Sequence, residues 1–254
     1  MHLPYRLERT VAIQAPRETV FRYFTDSARW AAWWGAGSTI DAQPGGKVYI
    51  RHPNGVETLG EVLQVSIPDR IVFTYGFAGG KPVPAGGSRV TIELADEAAG
   101  TRLHLTHEFA DEAARDEHVQ GWRFQLSLFS NVVANEAHVG AADTVDAWFA
   151  AWAEPDESRR AQTLARIATP AVRFRDRFSL LDGQDDLLAH INASLRFMPG
   201  IRLQRQGAIR HCQGAVLAEW VAIATEGGAR GSGTSVFQLA GDGRIETVTS
   251  FRKD

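Results

Sequence analysis

The chain has 254 residues, 44% of them apolar and 22% charged, with a formal net charge of −3. That length accommodates two globular domains of roughly 100–150 residues. The slightly acidic balance argues against nucleic acid or an anionic membrane as the main partner, because phosphate recognition needs a clustered basic surface. Cys212 is the one cysteine, so no disulfide forms within the chain and nothing points to secretion. The opening MHLPYRLERT lacks the apolar stretch of a signal peptide, and no run of about 18 apolar residues is long enough to cross a membrane. A cytoplasmic protein without membrane contact is expected, and the glycosylation-like triplet Asn192-Ala-Ser194 then carries no meaning.

Residues 6–14 alternate, with Leu7, Arg9, Val11 and Ile13 on one face, and predict a first strand. Pro16 suits the start of a short helix striped by Val20, Phe21 and Phe24. Asp26-Ser27 opens a second, which ends in Trp30, Trp33, Trp34 and Gly35. Strands follow over 47–52, 56–66, 70–77, 88–95 and 101–109, separated by Pro-, Gly- and Asn-rich turns. Short links between sequential strands predict an antiparallel meander. Asp111 then opens a long helix whose Val119, Trp122, Leu126, Phe129 and Val133 form one buried face. Gly121 inside that helix costs about 1 kcal/mol against alanine. Close approach of the helix to the sheet is the expected reason for it.

The stripe fades over 134–142. The expected division is a first domain over 1–135, a linker over 136–142 and a second domain over 143–254. The second opens with a helix carrying Val145, Trp148, Phe149 and Trp152. Pro155 starts another, with Leu164 and Ile167 buried, and Thr169-Pro170 stops it. A strand over 171–178, a helix over 185–198 and strands over 201–212, 215–225, 231–240 and 244–252 complete the chain. The two halves place their helices differently, so no internal repeat is expected.

Ala15-Pro16-Arg17-Glu18-Thr19-Val20-Phe21, Trp33-Trp34-Gly35 and Pro44-Gly45-Gly46 come in that order in the first half. Thr106-His107-Glu108-Phe109 and His118-Val119-Gln120-Gly121-Trp122 follow them. With these motifs the first half resembles SRPBCC, or START-like, helix-grip domains, in the branch of the activator of heat-shock-protein-90 ATPase homologues. The second half has Ala147-Trp148-Phe149, Val172-Arg173-Phe174-Arg175-Asp176, Asp182-Gly183, and Asp242-Gly243-Arg244-Ile245 followed by Val248 and Phe251. It resembles SnoaL-like domains of the nuclear-transport-factor-2 superfamily. The resemblances imply an α+β chain: a helix-grip antiparallel sheet domain followed by an α+β cone, each with an apolar cavity. Each fold hosts many functions.

Asp176 carries the most specific chemical argument. On the expected strand, Val172, Phe174, Asp176 and Phe178 share one face, while Arg173, Arg175 and Arg177 share the other. A carboxylate buried among apolar groups is pushed up in pKa and can act as a general base beside a carbonyl. The alternative is a strand end or bulge where arginine or backbone donors satisfy it. The resemblance matches Asp176 to the general-base aspartate of ketosteroid-isomerase-like members. It also shows a departure. Trp148 and Phe149 stand near the place of the family's oxyanion-donor tyrosine, and Ser235 aligns with its second donor, which weakens enolate stabilisation.

His190 lies beside the Leu187/Ile191 stripe and is either a pocket residue or a boundary histidine. Trp220, with Val216, Ala218 and Ala222, is either pocket wall or packed core. In the first domain, His107 and Tyr75 are the polar candidates for the cavity, with Trp33, Trp34 and Trp122 as apolar wall. For each, plain core packing is the alternative. His104 and His107 face opposite sides of a strand and cannot share a metal. No zinc, calcium, phosphate-loop or dinucleotide motif is present, so no metal and no cofactor is expected. The leading expectation is a two-pocket protein binding small hydrophobic molecules. The alternatives are a polyketide-cyclase or isomerase-like enzyme using Asp176, and a regulator of a chaperone ATPase. Exposed sheet surface in the second domain suggests a homodimer.

Overall fold

The structure is a computed structural model that describes residues 2–253. The chain divides into two compact units, one up to Ala134 and one from Asn135. The first runs β1 (Tyr5–Ile13), α1 (Arg17–Arg22), α2 (Ser27–Trp34), β2 (Thr39–Ile40), β3 (Lys47–Arg51) and β4 (Glu57–Ser66). It continues with β5 (Arg70–Tyr75), β6 (Ser88–Glu97), β7 (Gly100–Phe109) and α3 (Glu112–Ala137). The seven strands form one antiparallel sheet in the order β1-β7-β6-β5-β4-β3-β2. The meander expected from the alternation is present. β2 is an addition, because two residues are too few to show a period.

Aspartates start α2 and α3. Asp26 accepts the Arg29 backbone N–H at 2.8 Å and Asp111 that of Ala114 at 2.9 Å; such caps contribute about 1 kcal/mol each. α3 buries Trp122, Leu126, Phe129 and Val133 of the expected stripe, while Val119 is half-buried. Gly121 differs from expectation. It is on the exposed side, and a Cβ there would meet nothing within 4 Å. Close packing therefore does not explain this glycine, and nothing else in the structure does.

The second unit contains α4 (Ala141–Ala151), α5 (Glu157–Ile167), β8 (Ala168–Arg175), β9 (Leu180–Asp182) and α6 (Gln184–Phe197). Four long strands follow: β10 (Ile201–Cys212), β11 (Ala215–Ala224), β12 (Ala229–Leu239) and β13 (Ile245–Lys253). The sheet order is β10-β11-β12-β13-β8-β9, antiparallel except for the parallel pair β13–β8. Trp148, Phe149, Leu164, Ile191, Val216 and Phe237 belong to its core. The mixed α+β architecture expected for both halves is what the structure shows. Among the described residues no helix is long and apolar enough to cross a membrane.

Two details correct the sequence reading. β8 begins at Ala168 and includes Thr169 and Pro170. Its register with β13 passes from Ala168 directly to Arg173, so Pro170, which has no N–H to give, lies in the irregular stretch. β8 also stops at Arg175, short of Asp176, and Phe178 is 74% exposed rather than part of an apolar face. The chain turns there to form β9, which at three residues shows no period in the sequence.

Candidate functional site

In the first unit the five predicted pocket residues form one continuous ring cluster. Trp33 and Trp34 have centroids 4.4 Å apart, Trp34 and Trp122 5.7 Å, Trp122 and His107 5.8 Å, and His107 and Tyr75 5.4 Å. None is more than 5% exposed. The polar atoms of His107 are fully occupied. Trp122 Nε1–H donates to His107 Nδ1 at 2.9 Å, so the ring proton sits on Nε2. Nε2–H donates to Ser88 Oγ at 2.7 Å, and that hydroxyl donates to the Tyr75 carbonyl at 2.8 Å. Every donor in this relay has one acceptor, and only the neutral imidazole fits it. Burial, with the charge of His118 second, drives the His107 pKa well down. Burial likewise pushes the Tyr75 phenol up.

The second unit holds a cavity of about 620 Å³. Sheet register explains its lining. Directly opposed residues on antiparallel strands share a face, so β11, β12 and β13 present rows. Val216, Phe237 and Val248 form the deepest, fully packed row. Ala218, Ser235 and Ser250 form the next, followed by Trp220, Gly233 and Arg252. Ala222 and Gly231 lie beyond. Gly233 lets the Trp220 indole lie flat across the sheet: a Cβ there would stand 2.3 Å from Trp220 Cζ2 and 2.3 Å from the Phe251 carbonyl. Trp148 of α4, Trp152 at its C-terminal cap and Phe174 of β8 close the apolar wall, with Leu195 of α6 and Leu203 of β10 beside them.

Four predicted residues meet in this cavity: Trp148, Asp176, His190 and Trp220 all line it. Asp176 follows directly on Arg175, whose register partner Thr249 neighbours Ser250. It is half-buried, its Oδ1 accepts the Phe178 backbone N–H at 2.8 Å, and its own N–H donates to the Ser179 carbonyl. The strand-end alternative therefore describes its backbone, while its side chain still reaches the cavity. Ser235 and Ser250 hydroxyls are 2.9 Å apart. His190 packs 5.8 Å from the Trp152 ring, and its Nε2 stands 3.3 Å from Ser179 Oγ. The indole Nε1 atoms of Trp152 and Trp220 are buried with no hydrogen-bond partner among the described residues.

Sequence reasoning missed Trp152, Ser250 and Arg252 as lining residues. Trp152 lies one helical turn beyond Trp148, which is a readable signal. Ser250 and Arg252 have none, because their facing depends on the β12–β13 register. Among the described residues, no three His, Cys, Asp or Glu side chains converge as metal ligands.

Residues 14–134 match the family model of activator of Hsp90 ATPase homolog 1-like proteins. No curated protein matches the chain. Among solved structures, a candidate isomerase of the SnoaL-like family from Agrobacterium tumefaciens is 28% identical, with a TM-score of 0.43. That match covers 47% of this chain and 99% of that one. A Chromobacterium violaceum protein is 25% identical over 52% of this chain and 99% of its own, with a TM-score of 0.43. One from Mesorhizobium loti is 20% identical over 50% of this chain and 94% of its own, with a TM-score of 0.45. The chain is thus similar, over residues 14–134, to activator of Hsp90 ATPase homolog 1-like proteins, and to solved structures that include a SnoaL-like family member.

Proposed function

We propose that the second unit is a receptor for a small, mostly apolar molecule, bound in the cavity between α4, α6 and the sheet. The cavity itself carries this reading. Its aromatic and aliphatic walls enclose about 620 Å³ and are interrupted by polar groups that include Asp176, His190, Ser235, Ser250 and Arg252. That combination of apolar bulk and sparse, placed polarity is what small-molecule sites present. In the first unit the matching aromatic residues contact one another, which favours the second unit as the place of binding.

The test uses naphthylacetamide, a neutral aromatic probe, titrated calorimetrically into the full chain. Binding is expected, and Ala222→Trp, which places an indole in the cavity, is expected to abolish it with the circular dichroism spectrum retained. Absence of binding by the parent protein, or undiminished binding by the filled variant, sinks the reading.

A second reading is enzymatic. Asp176 and the hydroxyls of Ser235 and Ser250, which line one cavity, support it. Asp176 would take a proton from carbon beside a ligand carbonyl, and a serine hydroxyl would donate to the oxygen where negative charge develops. Asp176→Asn keeps the shape and removes the base. Turnover of ketone substrates by the parent and its loss in this variant supports the reading, and an unchanged rate removes Asp176 from it.

A further inference from the structure

We infer that the occupant of this cavity is an organic acid, with an apolar body seated against Trp148 and Phe174 and a carboxylate held at the rim by Arg252. The inference rests on the reading of the cavity as a binding site and names the ligand's class.

Arg252 shares the cavity face because its register partner is Gly233, itself paired with Trp220. Its guanidinium lies across Gly231, where a Cβ would stand 3.2 Å from Nη2. Nη2 donates to the Arg230 carbonyl at 3.3 Å, which anchors the group. A planar guanidinium has five N–H donors suited to gripping a carboxylate in parallel. Arg252 has no carboxylate partner among the described residues. Three other arginines of the unit do have one: Arg205 pairs with Asp146 at 2.7 Å, Arg244 with Asp242 at 2.8 Å, and Arg230 with Glu226. A β-bulge between Ala222 and Ile223 brings Arg230 to the cavity as well, but with its charge already met.

Arg177, the third arginine of the lining, lies over the Phe178 ring at 5.1 Å, and Asp176 bears on the direction of entry. Asp176 lies near the serine row, one row deeper than Arg252, with Oδ1 held by the Phe178 N–H. A carboxylate pushed to that depth meets a like charge, whereas at Arg252 it meets an opposite one. Beyond the serine row lies the apolar row of Val216, Phe237 and Val248. The gradient therefore runs from cationic rim through hydroxyl row to apolar floor. The buried Trp220 Nε1–H, unpartnered among the described residues, adds a donor in the row of Arg252.

Naphthylacetate and naphthylacetamide share one ring and differ in charge, so calorimetry on the full chain isolates the effect of the anion. The acid is expected to bind about tenfold more tightly, the margin of one charge-assisted hydrogen bond. Arg252→Met keeps an apolar stem; it is expected to weaken the acid about tenfold and so to remove its preference over the amide. Arg244→Met, which removes a paired arginine outside the cavity lining, is expected to change neither. Equal affinity of the parent protein for the two probes, or an acid preference that survives Arg252→Met, overturns the inference while leaving the cavity reading intact. Failure of both probes to bind overturns both.

Discussion

His107 places a polar ring inside an apolar wall without stranding a donor or an acceptor. The arrangement needs three partners from three elements: Trp122 of α3, Ser88 of β6 and the carbonyl of Tyr75 at the end of β5. Replacing Trp122 with phenylalanine keeps most of the ring packing and removes the one donor to Nδ1. The stranded nitrogen is then expected to cost about 1–3 kcal/mol in chemical denaturation. The double variant Trp122→Phe with His107→Leu removes both partners and is expected to recover part of that loss. A single variant as stable as the parent would show that the relay contributes nothing. Residue type and strand parity point to His107 in the sequence, since it alternates with Leu103 and Leu105. Its satisfaction does not show there, because Ser88 and Trp122 are brought to it by pairing with β6 and by the packing of α3. Asp176 is the converse case: its type stands out in the sequence, but the turn that ends β8 before it depends on bonds to Phe178 and Ser179.

At the scale of elements, β12 shapes the cavity through two glycines whose surroundings differ. A Cβ at Gly233 meets backbone oxygen and the rigid Trp220 ring at 2.3 Å, while one at Gly231 meets only the far end of the Arg252 guanidinium at 3.2 Å. Gly233→Ala must move the indole or the sheet, and overpacking of this kind costs about 1–3 kcal/mol. It is expected to abolish naphthylacetamide binding, because the ring that swings aside is cavity wall. Gly231→Ala can be relieved by a rotation of the arginine and is expected to leave amide binding and thermal stability nearly intact. Equal behaviour of the two variants would refute the register-based picture of the wall. Alternation marks Trp220 as facing inward with Ala218 and Ala222, so half of this row is legible in the sequence. The other half is not. Which residue of β13 faces Gly233 is decided by the bulge between Gln238 and Leu239, a long-range property that no local period carries.

At the scale of the whole molecule, histidines in both units make stability depend on pH. Burial lowers the pKa of His107 and His118 in the first unit, and of His52 there as well. In the second unit His138 Nε2–H donates to the Ala240 carbonyl at 2.8 Å, which leaves Nδ1 as the acceptor facing His211 Nε2 at 3.0 Å. Burial lowers both pKa values of that pair, and the neighbouring imidazole lowers His211 further. For each of these groups the unfolded chain takes up a proton near pH 6.5 while the folded chain does not. Stability is therefore complete above about pH 6.5 and falls as the pH drops toward the depressed folded values. Glu246 acts in the opposite sense, because partial burial and the charge of Asp242 raise its pKa. Ordinary carboxylates titrate near 4, so in the interval from about pH 6.5 to 5 the five histidines act against the single raised carboxyl of Glu246. The midpoint of thermal unfolding is expected to fall steadily across that interval. In His107→Gln the slope is expected to be shallower, because the most deeply buried of the five no longer titrates. A midpoint that stays level from pH 7 to 5, or a slope unchanged by His107→Gln, would show that these rings are not held neutral by the fold.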